Sequence, residues 1–190
     1  MKIILGSSSK PRKKVLQDNG YQFEVMSPDI DEKGIRSDDL YQLPLMIARA
    51  KADALIPNIT EPTLLITADQ VVVCHGSLHE KPQSEAEVRA FLQKYSDEYP
   101  AETVSALVVT NTGNGKQADG VDIAKIYFNP IPLAVIDDFI KTEDLFSRAG
   151  GFVVESPLFQ PFIKKIEGSI DSVMGMPITL LERLITEVEL

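Results

Sequence analysis

Apolar positions recur along this chain in two rhythms, and the switching between them sets the expected fold. Ile3-Ile4-Leu5 is a short unbroken apolar run that stops at Gly6, so residues 2–6 read as a buried strand. Val15 and Leu16 carry the inward face of a helix over 10–19, closed by Asn19-Gly20. Tyr21 to Met26 alternates as a second strand. After Ser37-Asp38-Asp39 the helical period returns. A helix from about 39 to 56 has Leu43, Ile47, Ala50 and Ala54 on one stripe, Pro44 in its first turn and Pro57-Asn58 at its end. Thr63 to Val73 is aliphatic or β-branched almost throughout, as in a central strand buried on both faces. Cys74 to His79 reads as a hairpin turn around Gly76, and Ser84-Glu85-Ala86-Glu87 as a capping box. The helix after that box carries Val88, Phe91, Leu92 and Tyr95 toward the core. Glu102 to Asn111 and Gly120 to Phe128 are strands joined by the hairpin 112–117. Pro130 and Pro132 introduce a helix with Ile136, Phe139 and Ile140 inward. Ala149-Gly150-Gly151 is a loop ahead of a short Phe152-Val153-Val154 strand, and Lys164 to Glu167 is a further strand. Residues 168–177 form a glycine-punctuated turn segment. A last helix from about 177 buries Leu180, Leu181, Leu184, Ile185 and Val188. The predicted class is α/β with a mixed sheet and flanking helices, in one domain over residues 1–190.

Composition narrows the function. The 190 residues, 44% hydrophobic and 25% charged, suit a soluble globular domain. A net charge of −9 argues against a nucleic-acid polymer as partner, since that partner demands a basic surface. A small anion is still compatible, because one local basic pocket can oppose the overall field. Cys74 is the one cysteine and cannot pair within the chain, which points to a reducing, cytoplasmic setting. No stretch reaches membrane-spanning length, so no membrane partner is expected. Cys74, His75 and His79 lack the count and spacing of a zinc set, and both histidines are expected in solvent.

Against that background a few polar residues stand out. Ser7-Ser8-Ser9 leaves the first strand and enters a helix, where free N–H groups and the helix dipole favour an oxyanion. Arg12 shares the inward face of that helix with Val15 and Leu16. The plainer account is a serine cap on a solvated basic helix. Lys51 borders an apolar face, and the plainer account there is a snorkelling stem with a wet ammonium. Lys81 and Glu155 read equally as solvated side chains, on a hairpin and at a strand edge. Glu32 is one of three carboxylates in the loop 27–34. Asp69 interrupts the apolar strand, where an unpaired carboxylate is expensive, so it needs a cation, a metal or strong donors. Cations beside carboxylates make an apparatus for phosphate chemistry, although neither a Walker A loop nor GxGxxG is present.

In order and spacing these pieces resemble the Maf family of nucleotide pyrophosphatases along nearly the whole chain. The matching fragments are Leu5-Gly6-Ser7-Ser8-Ser9 with Arg12, Asp29-Ile30-Asp31-Glu32, Ala48-Arg49-Ala50-Lys51-Ala52, Ala68-Asp69-Gln70-Val71-Val72, Lys81-Pro82, Ala149-Gly150-Gly151, and Glu167-Gly168 through Gly175-Met176-Pro177. The resemblance implies a fold related to the inosine-triphosphate pyrophosphatases, with two lobes, a central cleft and frequent homodimers. It implies hydrolysis of a nucleoside triphosphate to monophosphate and pyrophosphate, assisted by Mg2+ or Mn2+ held by Glu32 and Asp69. Asp69 matches the proton acceptor and Glu32 the second acidic position. Ser7, Arg12, Lys51 and Lys81 match phosphate-binding positions, with Ser8 and Ser9 in the same turn. Pro11, Gln70 and Glu155 fall where the base is chosen. Members preferring dTTP or UTP usually have arginine, threonine and glutamine there. Gln70 and Glu155 look instead like the subgroup that cleaves 7-methyl-GTP, although that subgroup has tryptophan at the place of Pro11. A carboxylate suits the two N–H donors of a guanine edge, whereas an amide suits uracil or thymine. The expectation is therefore a pyrophosphatase for 7-methyl-GTP or another modified nucleotide. A dTTP/UTP enzyme and a non-catalytic nucleotide-binding regulator of septum formation are the alternatives.

Overall fold

The long apolar strand is where two halves of the structure are built. A computed structural model describes residues 1–96 and 98–189. Two compact units emerge. The first comprises Met1–Gln70, Ser105–Asp122 and the chain from Met174 onward; the second comprises Val71–Val104 and Ile123–Val173.

In the first unit β1 (Lys2–Gly6) pairs in parallel with both β2 (Glu24–Val25) and β3 (Thr63–Cys74). Parallel neighbours need a long crossover. Those crossovers carry α1 (Lys10–Asp18) and α2 (Leu43–Leu55). On the other side of β3 lies β5 (Ala101–Asn111), followed by β6 (Lys116–Phe128). The Thr63 carbonyl accepts from the Thr112 amide, so the start of β3 meets the end of β5 and the two run antiparallel. The sheet is mixed.

Alternation along β3 divides its side chains between two cores. Leu64, Ile66 and Ala68 pack with Leu5, Val15, Leu16 of α1 and Leu181, Leu184 of α6 (Ile178–Glu189). Leu65 packs oppositely, with Ala48, Ala52 and Leu55 of α2. Thr67 and Asp69 continue the Leu65 face and so point at α2, where the Thr67 hydroxyl donates to the Ala48 carbonyl at 2.8 Å. Gly6 permits the close fit at the end of β1, since a Cβ there would lie 2.6 Å from Thr67 Cγ2 and 2.7 Å from Leu55 Cδ1.

In the second unit Val72–Cys74 of β3 pairs antiparallel with β4 (Ser77–His79). Their turn is His75-Gly76, both at positive φ (49° and 71°), as a two-residue type I′ hairpin requires. The Ser84 hydroxyl accepts from the Glu87 amide to open α3 (Glu85–Lys94), and the Glu87 carboxylate reaches the Gln83 amide at 2.7 Å. α4 (Leu133–Thr142) buries Ile136 and Phe139, the latter stacked 4.0 Å from Phe159. β6 also pairs antiparallel with β7 (Ile163–Glu167).

Several sequence expectations shift. The second strand shrinks to Glu24–Val25, because Tyr21 and Phe23 turn to pack on the α1–α6 core rather than extend the ladder. The second helix starts at Leu43, after a turn in which the Asp39 carboxylate accepts from the Tyr41 amide. Ala50 and Ala54 are only half-buried, and Ala48 and Ala52 hold the helix to the sheet instead. Phe152-Val153-Val154 is buried but forms no strand, since the positive-φ turn at Gly150-Gly151 sends it into the core. Ile170–Val173 winds into one helical turn, α5, within the expected turn segment. His79 is buried rather than solvated, with its ring stacked 4.1 Å from Phe91.

Candidate active site

Asp69 reaches the α2 face of the sheet, and Lys51 is the α2 residue that meets it. The Lys51 ammonium donates to Asp69 Oδ1 at 2.7 Å and to the Ala68 carbonyl at 3.3 Å, and lies 3.1 Å from Glu32 Oε1. Lys51 is only 5% exposed, so its head is not in water and the snorkelling account does not hold. Glu32 begins a short 3-10 turn closed by the Asp31 carboxylate, which accepts from the Gly34 amide. Its side chain is half-exposed and forms the open side of the cluster.

Arg12 enters from α1. Nη1 donates to the Ala68 carbonyl at 2.9 Å and to Ser7 Oγ at 3.3 Å, and Nε donates to the Gly175 carbonyl at 3.1 Å. Nη2 has no protein partner among the described residues, so one end of the guanidinium fork is held and the other is available. Ser7 Oγ also accepts from the Ser9 amide at 3.2 Å. Ser9 stands at the N-cap position of α1 but its side chain makes no capping bond, Ser8 is exposed, and Pro11 sits in the first turn. The serine turn therefore orients Arg12 rather than capping the helix in the ordinary way.

Electrostatics follows from this packing. Burial pushes the Asp69 carboxyl up from its ordinary value, while Lys51 and Arg12 pull it down and Glu32 adds to the rise. Burial likewise works against the charge on Arg12, and Asp69 and Glu32 support it. Gln70, next on the strand, donates from Nε2 to Ser105 Oγ at 2.9 Å.

Ser7, Arg12, Glu32, Lys51 and Asp69 are thus gathered in the first unit, with Gln70 beside them. Lys81 and Glu155 belong to the second unit. Lys81 is exposed. Glu155 is part-buried and paired: Arg148 Nη2 lies 3.0 Å from its Oε1. Sequence reasoning missed the carbonyls of Ala68 and Gly175, because main-chain acceptors leave no mark in residue identity. Gly175 did carry a signal. It sits at φ 84°, where glycine is favoured, and an added Cβ would lie 3.2 Å from Arg12 Nε and 3.3 Å from Gln70 Oε1, crowding both side chains.

The chain matches the family described as Maf-like protein over residues 2–188. It belongs to that family. It is 44% identical over 193 residues to the 7-methyl-GTP pyrophosphatase of Dictyostelium discoideum, covering 98% of this chain and 96% of that one. It is 28% identical over 186 residues to the dTTP/UTP pyrophosphatase of Vibrio vulnificus, covering 98% of each. A solved nucleoside-triphosphatase / dITP/XTP pyrophosphatase from Mycobacterium abscessus overlaps 70% of this chain and 76% of its own, at 18% identity and a TM-score of 0.40. No helix among the described residues is long and apolar enough to cross a membrane.

Proposed function

We propose that this Maf-like chain hydrolyses a nucleoside triphosphate to its monophosphate and pyrophosphate, with 7-methyl-GTP or another modified guanine nucleotide as the preferred substrate. One observation carries the reading: a carboxylate buried inside an apolar strand, held by Lys51 at 2.7 Å, beside an arginine whose outer nitrogen is unspent. Arg12 and the Ser7 hydroxyl grip phosphate oxygens, the arginine through Nη2. Asp69 accepts a proton from water as that water attacks the α-phosphorus, the α–β phosphoanhydride bond breaks, and pyrophosphate departs. Burial raises the proton affinity of Asp69 and so equips it as a base, while Lys51 and Arg12 favour its charged form.

The donors present suit a hard divalent cation. No cluster of three or more His, Cys, Asp or Glu side chains capable of holding a metal occurs among the described residues. Asp69 and Glu32 converge on the Lys51 ammonium, each with a second oxygen that has no protein partner among the described residues. Two carboxylates completed by phosphate oxygens and water is a magnesium pattern. Mg2+ or Mn2+ held by Glu32 and Asp69 would neutralise charge developing on the phosphates.

Lys81 is assigned to the phosphates, and Glu155 with Gln70 to the base, on the family resemblance. The 44% identity to a 7-methyl-GTP pyrophosphatase supports the guanine preference, as does a carboxylate where the other subgroup has an amide. The test is a screen of the purified protein against common and modified nucleoside triphosphates with Mg2+ or Mn2+, reading pyrophosphate. The expected result is fastest release from 7-methyl-GTP. Release of inorganic phosphate instead, or no release from any nucleotide, ends the proposal; a dTTP or UTP preference ends its guanine part.

A further inference from the structure

An ammonium has three N–H donors and no acceptor. In this structure all three of Lys51 have oxygen neighbours: Asp69 Oδ1 at 2.7 Å, Glu32 Oε1 at 3.1 Å and the Ala68 carbonyl at 3.3 Å. None is left for a phosphate. Arg12 differs, since its held end leaves Nη2 unspent among the described residues. A lysine meant only to grip phosphate would keep a donor free. Lys51 instead fills the point on which the two carboxylates converge, where a positive ion bridges them at short range.

We propose that Lys51 is the resident counter-ion of the cation site: it yields its place between Asp69 and Glu32 to a divalent cation and turns its freed donors to the phosphates. This rests on the pyrophosphatase reading above and adds an order of events to it. Charge arithmetic favours the coupling. Arg12 and Lys51 balance Asp69 and Glu32, so a divalent cation arriving alone leaves a buried excess of positive charge. A polyphosphate arriving with it supplies the compensating negative charge and gives the displaced ammonium a partner. Half-exposed Glu32 provides the open side on which the exchange occurs without unpacking α2. Lys51 thus blocks the site against metal without nucleotide and joins the phosphate grip when both are present.

The experiment measures Mn2+ binding to nucleotide-free protein by the paramagnetic resonance of free Mn2+, with no turnover involved. Wild type is expected to bind weakly, and inorganic pyrophosphate to tighten that binding about tenfold or more after subtracting the Mn2+ that the same pyrophosphate holds in protein-free buffer, since coupling is reciprocal. Lys51→Met is expected to bind Mn2+ about tenfold tighter than wild type without pyrophosphate, and to gain much less from adding it. Arg12→Gln removes a charge from the same cluster without vacating the bridging point, so its gain should be much smaller. Equal gains in both variants, or none in Lys51→Met, overturn the inference. Should Lys51→Met not fold, nitrogen-15 resonances of the wild-type lysines decide: the Lys51 ammonium signal must shift on adding Mg2+ with pyrophosphate but not with pyrophosphate alone. A protein that behaves so yet releases no pyrophosphate from any nucleotide overturns only the enzymatic reading. One that turns over normally with no Lys51 effect overturns only this one.

Discussion

Each unit buries a small polar cluster, and the two are built on opposite terms. In the first, four charged side chains crowd around Ala68 and Asp69, and they keep open valences: Arg12 Nη2, the second oxygen of Asp69 and half-exposed Glu32. In the second, His79, Tyr95 and Gly150 form a neutral chain. The Tyr95 hydroxyl donates to the Gly150 carbonyl at 2.9 Å, so its one proton is spent. The imidazole nitrogen 2.9 Å from that oxygen must then carry a proton, which fixes the Nδ1–H tautomer. Its two hydrogen bonds both end on protein atoms, only the imidazole Nε2 has no protein partner among the described residues, and Phe91, Phe128 and Phe152 pack around the chain. A cluster built for holding ties neutral groups to one another; one built for chemistry leaves charged groups with open valences and accepts the cost of burying charge.

The sharpest way to break this contrast is a pair of one-atom changes. Asp69→Asn keeps the shape and removes the base, so turnover should fall by ~10²–10⁴ in a protein that still folds, with a lowered melting temperature because Lys51 and Arg12 lose the charge that balances them. Tyr95→Phe deletes one hydroxyl and strands both the Gly150 carbonyl and the His79 N–H. Its expected cost is about 1–3 kcal/mol in chemical denaturation, with kcat within about twofold of wild type. If Tyr95→Phe instead abolishes turnover at full stability, the second cluster is not the passive hold described here.

A milder change sharpens the first half of the comparison. Arg12→Lys retains the charge but cannot reach Ala68, Ser7 and Gly175 while leaving a donor over. KM for the nucleotide should rise about tenfold, roughly 1.4 kcal/mol, with a smaller change in kcat. An unchanged KM would remove Arg12 from the phosphate grip.

How far the sequence announced all this differs between the clusters for a physical reason. Asp69 was legible because a carboxylate in an apolar strand is an energetic anomaly wherever it lies. Arg12 was legible because helical spacing turned it inward beside Val15 and Leu16. Lys51 was half-legible: the same spacing put it at the border of an apolar face, but not which side of the border its head would take. That was decided by Asp69 and Glu32, which are distant in sequence. His79 was misread as a turn residue in water because the hairpin before it looks polar. Its burial comes from Phe91 on the following helix and Tyr95 just past its end, a tertiary contact that no local pattern contains. The Phe152-Val153-Val154 strand failed for a related reason, since β-branched residues fit a buried loop as well as a ladder.

The smallest expected signal is a slope. Burial holds His79 at about 4, below its ordinary 6.5, with Lys94 adding to the fall and Glu87 opposing it. A base depressed in the folded state binds fewer protons there than in the unfolded chain. Stability should therefore be full above pH 6.5, decline as pH falls from 6.5 toward 4, and flatten below as the folded protein takes up its proton. His79→Phe keeps a ring against Phe91 but has nothing to titrate. It should start less stable at neutral pH, having lost the hydrogen bond to Tyr95, and then lose less than wild type across that window. The comparison to make is the difference between the two stability curves, because carboxylates elsewhere contribute equally to both. Parallel curves would mean that His79 charges freely within the fold, and the second cluster would then be as open to protons as the first.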